Sequence, residues 1–197
     1  FFEEDHHYEY KGERVGISVT RLIEEYCNEF DSQGVAEKVA ERDSKSVQEV
    51  LDEWKHKNEI SCEIGHLGHL WAQSLWNKEN VLKEIKSVSV DVKTLIKPII
   101  NQAIDFYVDY KDRLEHVADE FIMGSEEYDI ASAIDHIFLN KLTGELVLVD
   151  YKTNSDIHKT EKYAKDMKVP LSHLKDFTLN HYYIQLSIYK YLVEKYT

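Results

Sequence analysis

The segment that most limits how this chain can fold runs from Ile130 to Asn154. Two apolar runs, Ile130 to Asn140 and Glu145 to Thr153, flank the tetrapeptide Lys141-Leu142-Thr143-Gly144. A turn-competent linker of that length makes them an antiparallel hairpin. With Asn140 facing Glu145, Asp135 falls directly across from Asp150 and both point to one face. Like charges opposite one another weaken an antiparallel pair by up to ~1 kcal/mol, and by more when buried, so two such aspartates ask for a compensating cation. Lys152 shares the face of Asp150 by strand alternation and is one source; a metal ion is another. A further extended run, His116 to Ser125, precedes the turn Glu126-Glu127-Tyr128-Asp129, and a loop of that length brings Glu120 opposite Asp135 as well.

Two readings of these carboxylates stand. Three carboxyls, a backbone carbonyl and water make a hard oxygen site suited to Mg²⁺ or Mn²⁺. Alternatively, Asp150 and Lys152 form a solvated strand end with an ion pair and Asp135 is exposed, because a slip of one residue sends one aspartate to the other face.

Upstream, two Pro and seven Gly in 197 residues leave few helix breakers. Phe1 to Val19 reads as a hairpin around Lys11-Gly12-Glu13, ending where Ser18 or Thr20 can cap a helix. Leu22, Ile23, Tyr26 and Phe30, then Val35, Val39 and Ala40, then Val47, Val50, Leu51 and Trp54 recur at helical spacing, with breaks at Asp31 to Gly34 and Arg42 to Ser44. They predict a cap of three short helices. Gly65 opens a longer helix with His66, His69, Leu70 and Gln73 on one side, and Pro98 fits the first turn of the next. Val88 to Leu95 fits helix or strand. Ser155 to Lys168 reads as a polar, mobile linker, and Tyr182 to Tyr196 as a closing aromatic-rich helix. The expectation is an α/β (α+β) fold in one domain, with a hairpin and helical cap over residues 1–60 and a core over 61–197.

The formal charge of -13, from 24 Lys and Arg against 37 Asp and Glu, argues against a general nucleic-acid coat or an anionic-membrane binder. Net charge describes the average field, however, and a site uses a local one. Acids gathered around divalent ions are partly cancelled, so DNA is not excluded, provided that Lys152, Lys159, Lys162 and Lys165 line one groove. Cys27 and Cys62 are too few for a four-thiolate zinc or iron-sulfur site and read as small reduced hydrophobes. No run approaches the roughly 18 apolar residues of a membrane span and no basic-then-apolar leader opens the chain, which predicts a soluble, cytoplasmic protein. Phe1 in place of Met points to processing or trimming. His6 and His7 match no metal motif and read as surface residues.

Asp135 followed by Asp150-Tyr151-Lys152 at the end of the next strand resembles the signature of PD-(D/E)XK nucleases. Gly65-His66-Leu67-Gly68-His69 resembles the helix start "G-T-x-x-H" of the RecB-like and phage-type exonuclease branch, Glu120 the upstream strand glutamate, and Gln185 to Tyr189 the "Q-x-x-x-Y" helix. The Ser18-Val19-Thr20 helix start also resembles the N-terminal region of phage-encoded and mitochondrial-type members. Two positions depart from the pattern: His66 replaces Thr, and Ser132 stands where Gly is common three residues before the aspartate.

The resemblance implies a restriction-endonuclease-like core, a mixed central sheet flanked by helices. It also implies metal-dependent hydrolysis of single-stranded or duplex DNA ends, in recombination, repair or phage DNA processing, with a recombination or replication protein as a further partner. Asp135, Asp150, Glu120 and the Tyr151 carbonyl would hold Mg²⁺ or Mn²⁺, His69 would be a further ligand favouring Mn²⁺, and Lys152 would activate the attacking water. Gln185 and Tyr189 would position Lys152 or contact a phosphate. The rival is a catalytically silent nuclease-fold module that binds DNA or assembles with a partner. A zinc hydrolase built on His66 and His69 lacks the Glu of the H-E-x-x-H arrangement.

Overall fold

The structure, a computed structural model, describes residues 8–10, 12–78, 81, 88–154, 157 and 164–196. His6, His7, Lys159 and Lys162 lie outside them, as does most of the expected linker. In chain order the elements are β1 (Glu9–Tyr10), β2 (Glu13–Arg14), β3 (Ile17–Ser18), α1 (Val19–Glu25), α2 (Ser32–Asp43), α3 (Val47–Asn77), α4 (Val90–Tyr110), β4 (Leu114–Ser125), β5 (Ile130–Asn140), β6 (Leu146–Val149) and α5 (Thr178–Tyr196). This is a mixed α/β chain. It forms two compact units, one of Phe1–Asn28 with Lys111–Thr197 and one of Glu29–Tyr110. The division therefore falls at both ends of a helical insertion rather than near residue 60.

In the first unit β5 is the strand on which the others assemble. β4 runs antiparallel along its whole length, β6 pairs antiparallel with His136 to Leu139, and β3 joins parallel at Ile17↔Ile130 and Ser18↔Ala131. The result is an open, mixed sheet of four strands. The expected hairpin register holds. His136 pairs with Val149 and the Asn140 N–H donates to the Glu145 carbonyl at 2.8 Å, with Gly144 at φ 74 closing the turn. β6 stops at Val149, short of the expected Thr153. The turn before β5 ends at Asp129, whose φ of 52 suits an Asp. Its carboxylate accepts the Gly16 N–H at 2.9 Å and its carbonyl accepts the Ile17 N–H at 3.2 Å, so the same turn docks β3. Val19 and Ile23 of α1, Ile134 and Ile137 of β5, and Tyr189, Leu192 and Val193 of α5 form the core, and Ser18 caps α1 as expected.

The second unit is helical throughout its described elements. α3 is one helix of 31 residues where two were expected. Ser46 and Glu49 form a reciprocal capping box at its start, and Gly65 and Gly68 cost only ~1 kcal/mol each against Ala in a helix this long. Its N-terminal half packs with α2 through Ala36, Ala40 and Val50, and its C-terminal half with α4 through Ile64, Leu67, Val92 and Ile96. α4 begins eight residues before Pro98, so that proline sits inside the helix instead of in its first turn. No described helix is long and apolar enough to cross a membrane.

Of the segment read as a mobile linker, residues 166–168 are held in place. The Met167 N–H donates to the Leu174 carbonyl at 2.9 Å, the Lys168 N–H to the Tyr26 carbonyl at 2.8 Å, and Met167 is in the core. Phe138 is fully buried in β5. Phe138→Ala is expected to lower the unfolding free energy of the sheet unit by ~3–5 kcal/mol in urea denaturation, through lost burial and a residual cavity.

Candidate metal and hydrolytic site

Three strands converge on Asp135. After a bulge between His116 and Ala118, β4 and β5 pair as Asp119↔His136 and Phe121↔Ile134, a register that sets Glu120 opposite Asp135. Glu120 itself has φ 44, in the left-handed region. That conformation is uncommon for a non-glycine residue and costs on the order of 1–3 kcal/mol, so surrounding structure must impose it. Its carboxylate lies within 4.8 Å of that of Asp135. On the other side, the register of β5 and β6 places Asp150 one step beyond the last paired residue, opposite Asp135. Asp135, 8% exposed, accepts the Tyr151 N–H at 2.5 Å through Oδ2. A side chain of β5 thus takes over where the ladder to β6 ends.

The Asp150 carboxylate, 5% exposed, forms an ion pair with Lys152. Of the solvated strand end considered from sequence, the ion pair is present, but Asp135 is buried and little of the Asp150 side chain reaches solvent. The Lys152 ammonium also lies 4.7 Å from the centre of the Tyr182 ring, a cation–π contact, and the Tyr182 hydroxyl donates to Asn154 at 2.7 Å. Burial pushes the Tyr182 pKa up and the Asp150 charge adds to it, outweighing the bond to Asn154. Tyr182 was missed in the sequence because strand and helix are far apart along the chain. Its spacing three residues before Gln185, on one helix face, was the signal that could have found it.

Gln185 and Tyr189 share the same helix face, as expected, but they face inward. Gln185 Nε2 donates to the Tyr189 hydroxyl at 2.6 Å, and Tyr189, only 2% exposed, shares a 2.9 Å hydrogen bond with Ser132. Ser132, noted for replacing a glycine, is thus the anchor that ties α5 to β5. Tyr8 approaches from the N-terminal segment and bonds Ser132 and the Ala133 backbone. Burial and Glu120 raise its pKa, and those bonds oppose the rise. His66 and His69 lie on α3 in the helical unit.

The donor chemistry of Glu120, Asp135 and Asp150 is wholly carboxylate and fits a hard divalent ion better than a soft one. No family model matches the chain, and neither does any curated protein or solved structure.

Two outcomes follow. Glu120→Gly, which relieves the left-handed backbone, should be ~1–2 kcal/mol more stable in urea than Glu120→Ala, which removes the same carboxylate without relieving it. Burial raises the Tyr189 pKa well above the ordinary 10.0, more than its hydrogen bonds offset. A raised folded pKa gives stability that is full below the unfolded value and is lost as pH rises toward the folded one, so unfolding free energy should fall above pH 10. Tyr189→Phe should show a shallower alkaline decline in the same titration, from a lower starting stability because Ser132 and Gln185 lose their partner.

Proposed function

We propose that the sheet unit is a divalent-metal-dependent nuclease that hydrolyses phosphodiester bonds at DNA ends. The observation that carries this reading is the strained Glu120, opposite Asp135 on one strand edge while Asp150 and Lys152 leave the other. Three carboxylates directed to one end of a sheet are electrostatically costly, and they are retained where they bind a cation. Mg²⁺ or Mn²⁺ would be held by Glu120, Asp135 and Asp150 with the Tyr151 carbonyl, and would supply Lewis-acid charge against the scissile phosphate. His69 would be a further ligand, as the resemblance implies. The finer fold, a restriction-endonuclease-like core, is supported by the mixed sheet followed by α5.

The remaining work falls to the chain's own groups. Lys152, held by Asp150 and the Tyr182 face, is oriented to direct a water and to offset charge as the nucleophile attacks. Gln185, Tyr189 and Ser132 keep α5, and with it Tyr182, in register with β5. The acidity of the chain limits DNA affinity when divalent ions are absent, since phosphate contacts need cations.

End-labelled single-stranded and duplex DNA should be cut with Mg²⁺ or Mn²⁺ and not with EDTA. Asp150→Asn and Lys152→Ala should each lower the rate at least ~100-fold, the usual scale for a positioned proton-transfer group. Cleavage undiminished in Asp150→Asn would sink the assignment; metal-independent DNA binding without cleavage would favour a silent binding module. A closed circular substrate left intact marks the activity as exonucleolytic.

A further inference from the structure

Away from the carboxylates, three potential metal ligands from distant parts of the sheet unit meet at the junction of α1 and α5. Cys27 follows α1, Asp176 precedes α5 and His181 lies in its first turn. Each offers a donor atom within 4.8 Å of the other two. His181 Nε2 lies 3.3 Å from Cys27 Sγ and 2.7 Å from Asp176 Oδ1.

Two simpler roles fail on geometry and charge. A nucleophilic Cys-His-Asp relay needs the thiol on one ring nitrogen and the carboxylate on the other. Here a single nitrogen faces both. The thiol is moreover pushed up to about 11, by burial first and then by Asp176 and Glu24, against a smaller opposing effect of Lys168, so it is not a poised thiolate.

We propose that Cys27, Asp176 and His181 form a zinc site, with three protein ligands and one position left to solvent. Thiolate, imidazole and carboxylate together match the mixed donor set of Zn²⁺ rather than the oxygen set of Mg²⁺. The carboxylate is already oriented: Asp176 Oδ2 accepts the Asn28 backbone N–H at 2.5 Å and its side-chain amide at 2.7 Å, leaving Oδ1 toward the cluster. Such partners around a ligand are what fixes its direction in metal sites. Asp176 and His181 side chains are 12% and 28% exposed, so the cluster is partly open to solvent. Tetrahedral bonds of ordinary zinc length would separate S from N by roughly 3.5 Å and N from O by roughly 3.3 Å, so the first separation opens by about 0.2 Å and the second by about 0.6 Å. On binding, the Cys27 thiol, which now donates to the Ile23 carbonyl at 3.4 Å, gives its proton to solvent as the S–Zn bond forms. His181 binds through Nε2 and keeps its proton on Nδ1. The site clamps the end of α1 to the start of α5, the helix that carries Tyr182, Gln185 and Tyr189.

Cobalt titration of the purified full chain tests this without reference to nuclease activity. One equivalent of Co²⁺ should give a thiolate-to-cobalt charge-transfer band that Zn²⁺ abolishes. The band should persist in Cys62→Ser and in Asp150→Asn, and vanish in Cys27→Ser, while His181→Ala should weaken cobalt binding at least tenfold. As a check that needs no variant, saturating Zn²⁺ should protect Cys27 of the wild-type protein from iodoacetamide, read by peptide mass spectrometry. Absence of the band, a band unchanged in Cys27→Ser or His181→Ala, or alkylation of Cys27 undiminished by zinc would overturn the proposal.

Discussion

The hydrogen bond from the Tyr151 N–H to the Asp135 carboxylate is the contact on which the rest of the site depends. β5 is paired along β4 and, for part of its length, to β6, but the β6 ladder ends at Val149. Beyond that point the chain must either continue the sheet or find another partner for its backbone, since a buried N–H without one is costly. Asp135 provides that partner at 2.5 Å. The chain is thereby held beside β5, and Asp150 and Lys152 are delivered as a partly buried ion pair rather than a frayed end. One carboxylate both terminates a strand and contributes to the site.

Glu120 is the counterpart on the other edge. The turn from Glu126 to Asp129 sets the pairing of β4 with β5, and the bulge between His116 and Ala118 absorbs the mismatch farther along. Between them Glu120 takes a backbone conformation that few residues other than Gly adopt without cost. The pairing with β5 before and after it in the chain imposes it, because Asp119 and Phe121 are both in ladder positions. A rigid sheet paying for one strained residue next to two aspartates is the pattern expected of a site whose geometry matters more than its stability.

Behind the strands, α5 is attached by polar as well as apolar contacts. Leu192 and Val193 share a buried core with Ile134 and Ile137 of β5, but apolar packing alone tolerates sliding. The Gln185–Tyr189–Ser132 chain specifies a single register between helix and strand. The segment 164–176 reinforces it from the N-terminal side, since Asp176 holds Asn28 and His181 at once. Helix position matters because Tyr182 is the surface against which Lys152 rests.

The amino-acid sequence alone determined the local rules: strand alternation, the two four-residue turns, the facing of Asp135 by Asp150 and by Glu120, and the shared helix face of Gln185 and Tyr189. These follow from periods of two and 3.6 residues and from turn chemistry, which depend on neighbours in the chain. Helix boundaries were less legible. The capping box of α3 was there to be read, but Gly65 read as the start of a separate helix, a break that packing against α4 overrides. Only the tertiary structure decided which side of each element is buried and what meets there: Ser132 with Tyr189, Lys152 with Tyr182, and Cys27 with Asp176 and His181. Those partners lie 57, 30 and about 150 residues apart, and no local pattern records a contact made by closing so long a loop.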